Sequence, residues 1–295
     1  MADGRTACVA VGFFDGVHLG HQAILRGATA ALTFRNHPLT VIAPARAPRL
    51  IMSPEDRVSA IRACGVGSVT LLDFTPELAN LSPAEFLTLL STRLGGRAFS
   101  VRCGENWRFG RSGAGGAAFL RQAGIAVEVV PYAVYRDERV SSSRIRRSLA
   151  RGEIEDANAM LGRRFAVRGT VSSGKGLGRR LGCPTVNLAL PASLHAVSLP
   201  HGVYAVEMAG CRGVANYGLA PTLGADAWRT PVLEVHLLET PADLSGLSPV
   251  VTFRRFIRPE RRFDSLEALK GQIAADCEAA GGKKKGNGRD LLYAL

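Results

Sequence analysis

The chain has 295 residues, 46% of them hydrophobic, and 37 basic against 25 acidic side chains give it a net charge of +12. That length exceeds one ordinary domain, so two domains with real cores are the default, and six scattered cysteines without a CxxC pair argue against zinc or a disulfide framework. No apolar run approaches the roughly 18 residues of a membrane span and no signal-like apolar core opens the chain, so it reads as soluble and cytoplasmic; the charge favours phosphate-bearing partners, while scarce aromatics weigh against nucleic acid.

Ala7 to Val11 reads as a short buried strand that breaks into Gly12-Phe13-Phe14-Asp15-Gly16-Val17-His18-Leu19-Gly20-His21 and then an Ala/Leu-rich helical pattern. Strand, glycine turn and helix is the arrangement that receives a nucleotide at the carboxyl end of a parallel strand. His18 and His21, with Gly20 before the second, suit a phosphate chain that the backbone can approach closely; capping or packing histidines are the plainer alternative. Gln22 to Leu32 reads as helix. Thr33-Phe34-Arg35-Asn36-His37-Pro38 reads as a strand end or turn, since Pro38 disfavours helix at His37.

Ser53 caps a helix with Pro54 at its first position. Val66 to Phe74 reads as strand, Ser82-Pro83-Ala84-Glu85 opens another helix, and Ala98 to Arg102 is another strand. The alternation predicts an α/β domain with a mostly parallel sheet and helices on both faces. Strand 98–102 empties into the glycine-bounded loop Gly104-Glu105-Asn106-Trp107-Arg108-Phe109-Gly110. Beyond strand 126–130, Ser141-Ser142-Ser143-Arg144-Ile145-Arg146-Arg147 sets hydroxyls and guanidinium groups at a helix mouth. Such a run is a natural anion site, or simply caps and a solvated face.

Leu149 to Leu161 reads as a helix ended by Gly162, where the pattern changes. Short β-rich runs at 165–171, 202–208, 212–216, 232–238 and 249–254 are spaced as in a barrel, which puts the domain boundary near Gly162. Gly169 to Lys175 begins like a P-loop, but Gly176 stands where Ser or Thr must bind Mg²⁺ and no helix follows, so a P-loop is rejected. What remains is a flap, Gly174-Lys175-Gly176-Leu177-Gly178-Arg179, able to close over phosphates. A turn, Pro184-Thr185-Val186-Asn187, follows it with oxygen ligands for Mg²⁺. In Leu233-Glu234-Val235-His236-Leu237 the period of two puts Glu234 and His236 on one side, and an acid inside an apolar strand is either an edge residue or a functional group. Asp264 or Ser265 caps a helix to about Ala280, and 281–295 reads as a flexible tail.

In their order these strings resemble the bacterial bifunctional riboflavin kinase/FAD synthetases, over roughly residues 7 to 280. The Gly12–His21 string resembles the nucleotidyltransferase HxGH motif. The segment at 33–38 is similar to a Thr-Phe-x-Pro-His-Pro segment, with Asn36 for the first proline, and the Gly104–Gly110 loop to one that carries phenylalanine where Trp107 stands. Ser141–Arg146 is similar to a Ser-Ser-Thr-x-Ile-Arg run, and Gly174–Asn187 to the riboflavin kinase signature with Val186 for alanine. The stretch Asn216-Tyr217-Gly218-Leu219-Ala220-Pro221-Thr222 is a further match.

The resemblance implies a Rossmann-like FMN adenylyltransferase domain at 1–162, a Greek-key β-barrel riboflavin kinase domain with a C-terminal helix at 163–280, and a tail at 281–295. Riboflavin and ATP would give FMN, and FMN and ATP would give FAD and pyrophosphate. By the same resemblance Gly12, Phe13, Asp15, Gly20, His37, Asn106 and Arg108 lie beside ATP or FMN, and His18 and His21 stabilise charge on the phosphate chain. Arg146 with Ser142 and Ser143 holds pyrophosphate. In the kinase half Gly174, Lys175, Gly176, Gly178, Arg179, Pro184 and Asn216 bind the substrates, Thr185 and Asn187 coordinate Mg²⁺–ATP, Glu234 is the general base and His236 a packed barrel residue. The partners implied are small molecules, with self-association left open. One departure stands out: the connection after His21 is shorter than the family's, which fits a full helix and a second core strand there. A kinase with an impaired adenylyltransferase half is therefore one alternative, and a non-catalytic flavin- or RNA-binding regulator another.

Overall fold

A computed structural model describes residues 6–172, 185–190, 199–219, 231–239 and 248–281. The chain divides into two units, Met1–Ser142 and Ser143–Leu295. The first runs β1 (Ala7–Val11), α1 (Leu19–Leu25), β2 (Ala30–Phe34), α2 (Leu39–Ile42), α3 (Pro54–Ala63), β3 (Ser68–Leu72), α4 (Pro76–Asn80), α5 (Pro83–Arg93), β4 (Phe99–Gly104), α6 (Ala117–Gln122) and β5 (Val127–Val130), then a small hairpin of β6 (Val134–Tyr135) and β7 (Glu138–Arg139).

Five parallel strands form one sheet in the order β3-β2-β1-β4-β5. The chain winds outward from β1 through β2 to β3, then returns to β1's other side as β4, so β1 and β4 flank a topological switch point. Both faces are covered. Val9, Leu32, Val101, Leu90 and Leu120 fill one core, and Ala10, Leu25, Ala31 and Ile61 the other. Ser53 and Ser82 cap α3 and α5 through hydrogen bonds from the amides of Asp56 and Glu85, as their Ser-Pro starts predict.

The helix expected over 22–32 stops at Leu25, and Ala30–Phe34 is instead a strand, buried along its whole length and paired with both β1 and β3. A short apolar run reads as helix or strand by periodicity alone, and pairing on both sides decides it. The second core strand is therefore present, and the helix before it has seven residues.

The second unit opens within α7 (Ser142–Ala150), followed by α8 (Ile154–Leu161). The single helix expected over 149–161 is thus two segments, broken where Gly152 takes a φ of 75°. Next come β8 (Phe165–Arg168), β9 (Thr170–Ser172), β10 (Thr185–Ala189), β11 (Gly202–Met208), β12 (Cys211–Leu219), β13 (Pro231–Leu237), β14 (Val250–Pro259) and α9 (Leu266–Gly281). They form an antiparallel sheet in the order β8-β14-β11-β12-β13-β10-β9. Its two edge strands, β8 and β9, are separated in sequence by Gly169 alone, so one bent strand nearly closes a barrel. A Cβ at Gly169 would lie 2.9 Å from that of Leu188, which is why the bend falls on glycine.

Cross-strand pairing sorts the side chains. Leu188, Leu233, Val235, Ala215 and Tyr204 lie on one, deeply buried face. The opposite face of β11 and β12 carries Val203, Ala205 and Val214, against which α9 packs Cys277 and Ala280. Arg258 of β14 pins that helix by a forked pair to buried Asp276 at 2.7–3.1 Å. Ser265 caps the helix, accepting from the amide of Ala268.

Candidate active sites

In the first unit three sequence-distant motifs reach one sheet edge. The Gly12–His18 turn leaves β1, the segment containing His37 leaves β2, and the Gly104–Gly110 loop leaves β4; these strands are neighbours, so all three segments start from adjacent carboxyl ends. In an open parallel sheet that edge, at the switch point, is where ligands bind.

The turn is held tightly. Phe14, Gly16 and Val17 all have positive φ, 54°, 82° and 38°; such strain in non-glycine residues persists where surrounding contacts over-determine it. Asp15 is buried, and both its oxygens accept from the amide of Ile51, at 3.0 and 3.1 Å. The Thr33 hydroxyl donates to the carbonyl of Phe13 at 3.0 Å. Ser142 donates to the carbonyl of Asp15 at 2.8 Å, which ties the serine run to the turn.

His18 is the N-cap of α1, its Nδ1 accepting from the amide of His21 at 3.3 Å. The two imidazoles stack with centroids 3.6 Å apart and planes 19° from parallel. Gly20 permits this, for a Cβ there would stand 3.3 Å from His18 Cε1. His37 accepts from the amide of Leu39 and meets the ring of Phe13 edge-on at 4.7 Å. Asn36, which stands where the resembled motif has proline, exchanges two hydrogen bonds with the backbone of Phe74, at 2.8 and 2.9 Å, and so joins the ends of β2 and β3. Asn106 and Arg108 are exposed on a loop anchored by stacking of Trp107 on Phe109 at 4.7 Å.

Sequence reading missed Arg57. It is wholly buried, yet it sits on α3 one turn from buried Ile61, so a charge on an apolar stripe was the available signal. Ser143 is exposed and Arg146 half-buried on α7, in the second unit.

In that unit Asn187 of β10 pairs directly with Glu234 of β13, and Glu234 with Asn216 of β12. Directly opposed residues share a face with Cβ atoms about 5 Å apart. The three therefore form one polar row across three strands, on the face opposite the buried barrel residues. Thr185, expected in a turn, instead begins β10; two residues before Asn187, it shares that face and pairs with His236. His236 accordingly is half-buried on the outer face rather than packed inside the barrel. Partial burial raises the Glu234 carboxyl above the ordinary carboxylate value, although the side chain still reaches solvent. Asn216 donates to Glu260 at 3.3 Å, a second carboxylate that the sequence did not single out. Gly174, Lys175, Gly176, Gly178, Arg179 and Pro184 lie outside the described residues, as does most of the tail. Among the described residues no three His, Cys, Asp or Glu gather as a metal site.

A family model for FAD synthetase matches residues 1–144, and one for riboflavin kinase matches 161–282. The bifunctional riboflavin kinase/FMN adenylyltransferase of Escherichia coli K12 is 34% identical, covering 92% of this chain and 91% of its own. This chain belongs to that family. The Pseudomonas fluorescens and Bacillus subtilis members are 37% and 32% identical, each over 92% of this chain and over 92% and 90% of their own. A solved structure from Streptococcus pneumoniae, described as a macrolide-efflux protein, shares the fold with a TM-score of 0.81 at 28% identity, covering 94% of each chain. In this chain no described helix is long and apolar enough to cross a membrane. The FAD synthetase match runs through the short connection after His21, so both halves are present: a riboflavin kinase and an FMN adenylyltransferase, acting on ATP and flavins.

Proposed function

We propose that the two activities are divided between the sites described above. FMN adenylylation takes place at the β2–β1–β4 edge, and riboflavin phosphorylation on the Asn187–Glu234–Asn216 face. The observation that carries the reading is the gathering of sequence-distant motif residues at one sheet edge in the first unit and in one cross-strand row in the second.

At the first site a phosphate oxygen of FMN attacks the α-phosphorus of ATP, forming the new P–O bond of FAD as the bond to pyrophosphate breaks. His18 and His21 stabilise charge on the phosphate chain. Gly12, Phe13, Asp15 and Gly20 shape the turn beneath it, and His37, Asn106 and Arg108 border it. Ser142, bound to the carbonyl of Asp15, helps to hold the departing pyrophosphate. Such chemistry is mainly positioning and electrostatics.

At the second site Glu234 takes the proton of the ribityl 5′-hydroxyl as that oxygen attacks the γ-phosphorus and ADP departs. Thr185 and Asn187 offer a hydroxyl and an amide oxygen on one face of β10, hard donors that suit Mg²⁺. When bound there Mg²⁺ neutralises phosphate charge. Gly174, Lys175, Gly176, Gly178, Arg179 and Pro184 serve the same substrates in this reading. A domain boundary at Gly162 is supported by β8 starting three residues later and by the riboflavin kinase match beginning at residue 161, although α7 and α8 group with the second unit; six scattered cysteines without a CxxC pair support a cytoplasmic enzyme.

Purified protein given riboflavin, ATP and Mg²⁺, with flavins resolved chromatographically, tests the division. His18→Ala stops at FMN, and Glu234→Ala makes FAD only from added FMN. Loss of both steps in either variant sinks the assignment.

A further inference from the structure

Arg57 is the most deeply buried charge in the first unit, at 0% exposure. Its guanidinium makes contacts in three directions. Nη2 donates to the carbonyls of Phe34 and Arg35, at the carboxyl end of β2. Its Cζ lies 4.2 Å from the centroid of the Phe13 ring, a cation–π distance. The electrostatic partners are Asp15 of the turn and Glu55 on its own helix. Phe13 in turn presents its ring to His37.

For packing alone the residue is badly chosen. A methionine or leucine would fill the site without desolvating a cation, and Nε and Nη1 find no hydrogen-bond partner among the described residues. Burial lowers its pKa to about 10, so the group is still charged at neutral pH. A buried charge of that kind, one contact removed from a binding edge, is a functional-site signature.

We propose that Arg57 is a positioning residue for adenylyl transfer. It balances buried Asp15 and clamps Phe13, and through it His37, so that the turn bearing His18 and His21 is fixed in its strained form. The inference rests on the assignment of that turn to FMN adenylylation. Arg57 touches no substrate, being sealed from solvent; it acts through the residues it holds.

The test uses the full-length enzyme with Arg57→Met, which keeps the volume, and Arg57→Lys, which keeps the charge. Arg57→Met lowers kcat for FAD formation from FMN by about 10- to 100-fold, leaves the KM for FMN within about twofold, and leaves riboflavin phosphorylation unchanged. Arg57→Lys recovers part of the lost kcat. Circular dichroism and the melting of the N-terminal unit verify that each variant is folded at the assay temperature. Wild-type FAD formation by Arg57→Met overturns the inference. So does a Lys variant no better than Met, or loss that tracks unfolding of the unit. His18→Ala run alongside separates the two levels: if it still makes FAD, the site assignment itself falls, whereas an inactive His18→Ala with a fully active Arg57→Met overturns the positioning role alone.

Discussion

Replacing Arg102 by methionine asks whether the short α1 is held from outside. The helix has only seven residues and no basic residue in its last turn, and an isolated helix of that length is unstable in water. Arg102, on β4, reaches across to it: Nε donates to the carbonyl of Ile24 at 3.1 Å and Nη2 to that of Ala23 at 3.2 Å, while Nη1 pairs with Glu128 of β5. The Arg102 side chain is 17% exposed and that of Glu128 59%. Two hydrogen bonds from a charged donor to helix carbonyls contribute about 1 kcal/mol each, and the ion pair, with one exposed partner, adds no more than about 1 kcal/mol. Methionine retains the stem's packing, so the expected loss is about 2–3 kcal/mol. In a unit of this size that lowers the melting transition by about 6–10 °C. Calorimetry of the full chain, with residual FMN-adenylylating and riboflavin-phosphorylating activity measured after heating, assigns the transition. The adenylyltransferase should inactivate earlier while the kinase keeps its midpoint. A shift under about 1 °C, or an equal shift of both activities, would refute the argument that this side chain holds the short helix in place.

Three further outcomes are expected. Glu234→Gln lowers riboflavin phosphorylation by about 10²- to 10⁴-fold and leaves adenylylation of added FMN intact, read from separate FMN and FAD yields. Because the carboxylate must be ionised to accept a proton and its pKa is raised by desolvation, kinase kcat/KM is full at higher pH and falls as pH drops through that raised value. The acid limb therefore lies above the ordinary carboxylate range, and a limb at or below that range would contradict the role. Gly20→Ala places a methyl 3.3 Å from His18 Cε1; the imidazole must move, and FAD formation falls by about tenfold or more in a steady-state assay, with the kinase unaffected. Asp276→Ala strands the guanidinium of Arg258, whose side chain is 18% exposed, and destabilises the kinase unit by about 3 kcal/mol in urea titrations.

The sequence was most legible where chemistry and local rules coincide. Ser53-Pro54 and Ser82-Pro83 name their own helices because caps act within one turn. The strand in the Glu234 segment follows from its alternation, and that at 202–208, buried almost throughout, from a short β-rich run bounded by turns. Three readings went astray where a long-range partner decided the outcome. Ala30–Phe34 looks helical until β1 and β3 pair with it on either side. Thr185–Asn187 looks like a turn until β13 adds a ladder. His236, expected as a packed barrel residue, is only half-buried, because its neighbours Val235 and Leu237 take the buried face. Arg57 escaped notice for a related reason: only the folded sheet brings Phe13, Phe34 and Asp15 around it.

The short connection after His21 bears on how an adenylylating site is supported. A long helix there stabilises a glycine turn by its own packing; seven residues supply little of that. In this chain the support comes from elsewhere. Arg102 holds the carbonyl end of α1, Ser142 and Ile51 bind Asp15 at the other end of the turn, and Thr33 holds Phe13. These partners come from separate parts of the unit, Arg102 from β4, Thr33 from β2, Ser142 from the start of α7 and Ile51 from the segment before α3, so the strained residues Phe14 and Val17 are fixed by convergence of contacts rather than by helix length. It follows that damage to any one brace should reduce adenylylation by degrees, whereas loss of β2, which bears Thr33 and separates β1 from β3, should abolish it.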